Sequence, residues 1–134
     1  MTRTYVDADI LIAAARGNEE LSELAMNILE DGSREFIGST FLRIETSAPS
    51  RFHGYTLQAD FYEEFFNSVV EWAPVTNELA QDAHDVCLHS GIQAFDALHI
   101  AAAAAVGAEE FITGERLTSP IHNAEIVKVV SIRP

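Results

Sequence analysis

Four acidic residues lie where the end of a predicted strand or the start of a predicted helix would place them: Asp7, Glu45, Asp96 and Glu115. Because carboxylate oxygens without histidine or cysteine partners suit hard cations, such a set would bind Mg²⁺ or Mn²⁺. Two carboxylates about 4 Å apart repel by about 4 kcal/mol at an effective dielectric constant of about 20. A cluster of this kind is stable only with bound metal, protons or water, so the spacing predicts a functional acidic site.

Each of these acids also has a structural interpretation. Asp7 could cap the helix that follows it, Glu45 could be a solvated helix residue, and Asp96 could complement its helix dipole. We favour a functional role for these three. For Glu115 the alternatives of site residue and surface acid stay open, because other acids lie close to it in the sequence.

Several other polar residues are interpreted as supporting groups. Asp9 is expected to cap the first helix, with a place beside the metal ligands as the alternative. His99 follows Asp96 by three residues on the same helical face. We expect it to be a half-buried, hydrogen-bonded histidine rather than a catalytic base. Three hydroxyl residues are expected to hold water near the site or to cap helices: Ser39, Thr40 and Thr113.

Strand and helix patterns alternate along the chain. β-branched or apolar runs predict five strands: 4–6, 35–38, 68–72, 110–113 and 125–132. Helical spacing predicts helices between them: 8–15, 19–30, 40–48, 57–67, 77–89 and 94–106. Pro49 is expected to end the third helix. This order predicts an α/β fold, a three-layer α/β/α sandwich around a mainly parallel five-stranded sheet. Such sheets bind ligands at the carboxyl ends of their strands, where the strand order reverses.

Length and composition predict a single domain over residues 1–134. Hydrophobic residues make up 48% and charged residues 22%, which argues against disorder. The single cysteine, Cys87, allows neither an internal disulfide nor a zinc cluster of thiolates. Asp7 and Asp9 interrupt any signal-peptide core, and no stretch is apolar enough to span a membrane. We therefore expect a cytoplasmic protein.

The charge is strongly negative, with 21 acids against 8 lysines and arginines and a net charge of −13. This balance argues against a general nucleic-acid binder, because phosphates are held by clustered basic residues. Most of the acids are expected to solvate the surface, and some could instead converge on divalent cations. Four arginines are the candidates for phosphate contact, although a surface role is favoured for each: Arg16, Arg43, Arg51 and Arg116.

Four segments together carry a resemblance to a known family: 5–11 (YVDADIL), 39–45 (STFLRIE), 95–101 (FDALHIA) and 111–117 (FITGERL). In their order and approximate spacing they resemble the PIN domain, across essentially the whole chain. No Gly-rich phosphate loop or nucleophile elbow is present. The compact size is similar to that of the toxin members of type II toxin–antitoxin modules.

This resemblance implies a metal-dependent endoribonuclease that cleaves single-stranded RNA, using one or two Mg²⁺ or Mn²⁺ ions to activate water. It implies metal binding by Asp7, Glu45 and Asp96. The fourth acid of the family is usually an aspartate in a Thr-x-Asp motif, and here Glu115 stands in its place. Because glutamate is one methylene longer, the alternative is a catalytically weakened PIN-like module that binds protein or RNA.

The resemblance also implies a homodimer and a possible antitoxin protein as partner. An aromatic stripe on the helix 57–67 is expected to lie mostly in the core, yet it is large for one face of a short helix. Some of its members are therefore expected to reach a dimer interface. The stripe consists of Phe61, Tyr62, Phe65 and Phe66.

Two other α/β enzyme classes fit less well. The segment Asp7-Ala8-Asp9 resembles the start of haloacid-dehalogenase-type phosphatases, which need a basic residue on a later strand. Lys128 is the only lysine of the chain. A response-regulator receiver needs an aspartate at the end of its third strand, where this chain has residues 72–74, Trp-Ala-Pro.

Overall fold

Five parallel strands form one sheet, and helices connect them. The protein is described by a computed structural model that covers all residues, 1–134. The strands are β1 (Thr2–Val6), β2 (Arg34–Gly38), β3 (Glu71–Trp72), β4 (Glu110–Thr113) and β5 (Val129–Ser131). The helices are α1 (Ala8–Arg16), α2 (Ser22–Leu29), α3 (Thr40–Glu45), α4 (Ser47–Phe52), α5 (Thr56–Asn67), α6 (Asn77–Ser90) and α7 (Ala94–Ala105), with a short 3₁₀ helix at Pro120–Asn123.

The strand order is β3-β2-β1-β4-β5, and every pair is parallel. From β1 the chain steps outward to β2 and β3, then crosses back to form β4 on the other side of β1. Since parallel crossovers are right-handed, this reversal places α1 to α5 on one face and α6 with α7 on the other. In agreement, α1 packs against α2 and α5, and α6 packs against α7. The predicted three-layer α/β/α sandwich is confirmed, and its reversal point lies between β1 and β4.

Short-range signals set the ends of the long helices. The Thr76 hydroxyl caps α6 by accepting a hydrogen bond from the Leu79 N–H at 3.1 Å. Gly91 ends the same helix with φ of 67°, in the left-handed region that favours glycine. Gly17 ends α1 in the same way, with φ of 73°. These two helices therefore begin and end close to where the sequence predicts.

Three predicted element boundaries are wrong. Pro49 does not end a helix at residue 48, because the chain already breaks at Thr46 and starts α4 at Ser47. Pro49 then lies in the first turn of α4, where a missing N–H costs no helical hydrogen bond. The predicted strand 68–72 is reduced to β3, since Ser68 closes α5 by donating its hydroxyl to the Phe65 carbonyl at 2.6 Å.

The last predicted strand, 125–132, is also too long. Only Val129–Ser131 pairs with β4. Before β5 the chain forms the 3₁₀ helix, which begins at Pro120 and buries Ile121 against the core. No helix of the protein has the length and apolar character that crossing a membrane requires.

The aromatic stripe of α5 lies in the core rather than at the surface. Tyr62, Phe65 and Phe66 are buried, and Phe61 packs partly buried against the same cluster. The expectation that rings of the stripe reach an interface is therefore wrong for Tyr62, Phe65 and Phe66, and it stays a prediction for Phe61. The exposed apolar side chains of this region are instead Phe52 and Leu57, each 86% exposed.

Candidate functional site

Asp7 lies at the reversal point, directly after β1. Its backbone N–H donates to the Ile112 carbonyl of β4 at 2.8 Å, which continues the sheet by one residue. One carboxylate oxygen accepts the Ala8 N–H at 2.8 Å and thus caps α1. The other accepts the Thr113 hydroxyl at 3.1 Å. With 5% of its surface exposed, the side chain is held in one orientation, so the capping role and the place in the acidic cluster coexist.

Asp9 does not cap α1, contrary to expectation, because Asp7 occupies that position. Its carboxylate instead accepts the Gly114 N–H, at 3.2 Å and 3.1 Å from its two oxygens. A Cβ added at Gly114 would come within 3.1 Å of an Asp9 oxygen and of Leu21, a tight contact that favours glycine here because a larger residue would push Asp9 aside. Asp9 therefore ties α1 to the loop after β4. The sequence signal for this role is an acid three residues beyond a strand end.

Burial and mutual repulsion raise the pKa values of three acids in this cluster. Burial is the largest cause of a pKa of Asp7 well above the usual range, and the charges of Asp9 and Asp96 raise it further. Burial also raises the pKa of Asp9 to about 6, with a further contribution from Glu115. The pKa of the half-buried Asp96 is raised by burial and then by Glu115 and Glu45, against a lowering effect of His99. All four predicted site residues thus lie within one shared electrostatic field.

Glu45, the last residue of α3, is held by a buried chain of hydrogen bonds. Its Oε1 lies 2.5 Å from His99 Nε2. His99 Nδ1 lies 2.7 Å from the Tyr5 hydroxyl, which lies 2.6 Å from the Ser39 hydroxyl. His99 is fully buried rather than half-buried, and its expected hydrogen-bonding role is confirmed.

The direction of this chain follows from its two ends. A carboxylate only accepts, so His99 Nε2 donates to Glu45. When the imidazole is neutral, Nδ1 accepts, so the Tyr5 hydroxyl donates to it and accepts from Ser39; when the imidazole is charged, Nδ1 donates and the Tyr5 hydroxyl donates onward to Ser39. Burial raises the pKa of Tyr5, which keeps the phenol protonated for this role. Sequence reasoning missed Tyr5 and placed Ser39 at a helix cap, where the structure gives it no capping bond.

Glu115 lies beside the other acids with its backbone fixed on two sides. Its N–H donates to the Thr113 hydroxyl at 3.1 Å, and its carbonyl accepts the Ser131 hydroxyl at 2.8 Å. The side chain is half-exposed, and its carboxylate makes no hydrogen bond within the protein. It therefore contributes charge to the cluster from a backbone that is held in place.

The donor set fits a hard divalent cation. No three of the histidine, cysteine, aspartate or glutamate side chains lie in an arrangement that could hold a metal ion. The carboxylates near the reversal point nevertheless supply only oxygen ligands, the kind that Mg²⁺ and Mn²⁺ prefer. A cation there would offset the repulsion that raises the pKa values of Asp7, Asp9 and Asp96.

Most of the candidate phosphate-binding arginines already pair with acids. The pairs are Arg16 with Glu19 at 3.1 Å, Arg43 with Glu63 at 3.5 Å and Arg51 with Asp60 at 3.9 Å. Arg43 also lies over the rings of Phe66 and Trp72. Arg116 is exposed, makes no ion pair and directly follows Glu115. It is the arginine best placed to meet an anion near the acidic cluster.

The two rival enzyme classes gain no support from the geometry. Lys128 is exposed and precedes β5, so it lies at the amino end of the sheet, opposite the edge that holds Asp7. The chain after β3 carries no acid that could act as a receiver aspartate, since Ala73 and Pro74 follow Trp72.

Asp7→Asn should raise the melting temperature of the metal-free protein at pH 7 and above. A neutral amide of the same shape avoids the burial of a charge and its repulsion by Asp9 and Asp96. The gain should be about 1 kcal/mol, the scale of screened repulsion between neighbouring charges. Because folding raises the pKa values of Asp7, Asp9 and Asp96, the folded state binds more protons, and stability falls as pH rises above about 4; the part due to Asp9 is lost by about pH 6. The benefit of Asp7→Asn should therefore disappear near pH 4.

Thermal melts in chelator between pH 4 and pH 8 measure this effect. Asp82→Asn is the matched control, because it removes the same charge from an exposed position of α6. A lower midpoint for Asp7→Asn than for wild type, with the fold intact, would mean that the acids are not crowded.

Known proteins provide an independent comparison. The family model described as PIN domain matches residues 4–119. The structure of VapBC2 from Rickettsia felis bound to a DNA fragment from its promoter contains a similar chain, with a TM-score of 0.70, 11% identity and coverage of 97% of this chain and 98% of that one. DNA-bound VapBC from Salmonella typhimurium gives a TM-score of 0.70 at 12% identity, with 99% and 100% coverage. No curated protein matches the sequence.

Proposed function

The chain belongs to the PIN-domain family, and on that premise we propose that residues 1–134 form a single nuclease domain, a metal-dependent endoribonuclease that hydrolyses phosphodiester bonds in single-stranded RNA. One observation carries the proposal. Acids from four separate segments influence one another's charge, and burial together with this repulsion raises the pKa values of Asp7, Asp9 and Asp96. Such crowding is costly unless a cation or substrate uses it.

Asp7, Glu45 and Asp96 would hold the metal. When bound, Mg²⁺ or Mn²⁺ supplies a nucleophilic water at neutral pH and stabilises the charge on the leaving oxygen. Asp7 is oriented for this by its bonds to the Ala8 N–H and the Thr113 hydroxyl. Glu45 is oriented by His99, which engages one carboxylate oxygen and leaves the other available.

The residues around these ligands would position the loop and the substrate. Asp9 holds Gly114 and so fixes the backbone from which Glu115 extends. Arg116, exposed and without an acidic partner, would contact an RNA phosphate. A metal and one arginine beside it would ease the approach of RNA to a protein with a net charge of −13.

We further propose that the protein is the toxin of a type II toxin–antitoxin pair, a cytoplasmic homodimer with a protein antitoxin as partner. The fold is similar to chains in two structures described as DNA-bound VapBC. This likeness supports a partner protein of the antitoxin kind. The alternative is a catalytically weakened module of the same family. The observation that favours it is the glutamate at position 115, where the family usually has aspartate.

Substitutions at Glu115 separate the enzyme from the weakened module. Glu115→Gln should lower cleavage of single-stranded RNA about tenfold, the effect of losing one transition-state contact of about 1.4 kcal/mol. Glu115→Asp should keep or raise activity, because it restores the family's usual residue. Cleavage rates of a labelled RNA in Mg²⁺ and Mn²⁺, against a chelator blank, measure both.

Glu109→Gln is the control, since Glu109 is exposed before β4 at the opposite edge of the sheet. If Glu115→Gln cleaves as fast as wild type, Glu115 is only a surface acid and three carboxylates form the site. If wild type is inactive and Glu115→Asp gains metal-dependent cleavage, the chain is the weakened module.

A further inference from the structure

A surface cavity adjoins the acidic site and is not explained by metal binding. It has a volume of about 350 Å³ and reaches Glu45, the proposed metal ligand at the end of α3. Buried Tyr62 and partly buried Ile12 line its inner wall. Arg16, at the end of α1, lines the same cavity. Since Glu45 belongs to both, an occupant of the cavity would lie directly beside the proposed reaction centre.

Two aromatic rings form an exposed platform at this cavity. His53 and Tyr55 both line it, and their rings lie 5.7 Å apart at an interplanar angle of 26°. Gly54 between them has φ of 75°, a left-handed turn that lets the two side chains stack. The Tyr55 N–H donates to the Ser50 carbonyl at 2.8 Å, and the Gly54 N–H donates to the Arg51 carbonyl at 3.1 Å. The platform is thus fixed by backbone bonds to α4, although 56% of Tyr55 is exposed.

The charge of the cavity differs from that of the protein as a whole. Glu45 is the one acid among its lining residues, which also include His53 and Arg16, and the Arg16 guanidinium pairs with Glu19 outside the cavity. The chain as a whole has 21 acids and 8 lysines and arginines. A cavity with so few acids, beside a site that would carry metal, admits a negatively charged ligand that most of the surface repels.

Resting on the proposed function, we propose that this cavity binds the nucleotide next to the scissile phosphate of a single-stranded RNA. Its base stacks on the His53–Tyr55 platform, and Arg16 exchanges its exposed pair with Glu19 for the phosphate of this nucleotide. Every base has a π face, so stacking of this kind is tolerant of sequence. The site would thus require an unpaired base without selecting which one.

The lining chemistry favours a nucleotide over a protein segment. Beside the rings, the cavity offers polar side chains such as Ser50 and Gln58. The strongly exposed apolar residues nearby, Phe52 and Leu57, do not line it. A partner protein would bury those two first, whereas a base and its phosphate use the rings and the arginine.

An oligonucleotide with one abasic position tests the platform. Binding is measured by fluorescence anisotropy in Mn²⁺ on the Asp96→Asn background, so that cleavage does not follow binding. Moving the abasic position along the RNA should reveal one place where the missing base weakens binding about tenfold, within the range for loss of one stacked base. Adding Tyr55→Ala should weaken binding of the intact RNA by the same factor and abolish the abasic effect. Tyr55→Phe should retain binding, because the ring remains.

Leu57→Ala is the matched control and should leave RNA binding unchanged. The cavity assignment is overturned if the abasic position still weakens RNA binding in the Tyr55→Ala variant. It is also overturned if Leu57→Ala weakens RNA binding as much as Tyr55→Ala does, or if light scattering shows that Tyr55→Ala turns a dimer into a monomer. If wild type does not cleave RNA while the abasic pattern holds, the nuclease proposal fails and the cavity assignment stands. If wild type cleaves and Tyr55→Ala changes neither KM nor binding, the cavity assignment alone fails.

Discussion

Asp96→Asn should abolish metal-dependent cleavage of single-stranded RNA, with a loss of at least about 100-fold. Even a change to a group that only supports a metal ligand typically costs about 10–100-fold in affinity or activity, and Asp96 is proposed as a ligand itself. The residue lies in the first turn of α7, where burial and then the charges of Glu115 and Glu45 raise its pKa. Asparagine keeps the shape of the side chain and removes the charge that a cation needs.

Two measurements check this expectation. Calorimetric titration with Mn²⁺ or Mg²⁺ should show weak binding by wild type and weaker binding by Asp96→Asn, in parallel with the loss of cleavage. Asp85→Asn, at an exposed position of α6, is the control and should match wild type in both assays. Identical metal binding by Asp96→Asn and wild type would remove Asp96 from the ligand set.

Replacing His99 should weaken metal binding although His99 is not itself a proposed ligand. In His99→Phe the ring volume is kept, but Glu45 loses the donor that holds one of its oxygens. We expect a 10- to 100-fold lower Mn²⁺ affinity, the usual scale for a partner of a metal ligand. Tyr5→Phe removes the donor to His99 Nδ1 one step further away, so its effect should be smaller.

A conservative variant separates positioning from folding. His99→Gln carries an amide that can still donate toward Glu45, so it should recover part of the metal affinity that His99→Phe loses. Calorimetric titration with Mn²⁺ measures the effect on metal affinity, and thermal melts in chelator measure the effect on stability. If His99→Phe lowers the melting temperature and leaves the Mn²⁺ affinity unchanged, His99 supports only the fold.

Local patterns were enough to predict the layers of the fold and where the acids lie. β4 is an apolar run whose predicted bounds, 110–113, match the structure. Asp7 could be placed because it directly follows β1, and a strand end in a parallel sheet has a known place relative to its neighbours. The predicted resemblance to the PIN domain is confirmed by the family match.

The contacts that hold the acids could not be predicted, because they join positions that are distant in sequence. The local sequence pattern predicts only that Tyr5 is a buried residue of a strand. No neighbouring residue in the sequence indicates that its hydroxyl contacts His99, 94 residues later. Asp9 and Gly114 are 105 residues apart. The pairing depends on how closely α1 approaches the loop after β4, which is a property of the packed structure.

The two outer strands of the sheet are short, and this affects how the protein behaves at high concentration. β3 contributes two residues to one border of the sheet, and β5 contributes three to the other. On β3, Glu71 adds a charge and pairs with Arg3 across the strands. Short borders, one of them charged, give another chain little backbone to extend, which is how natural sheets avoid edge-to-edge aggregation. The protein should therefore withstand high concentrations without forming intermolecular sheets.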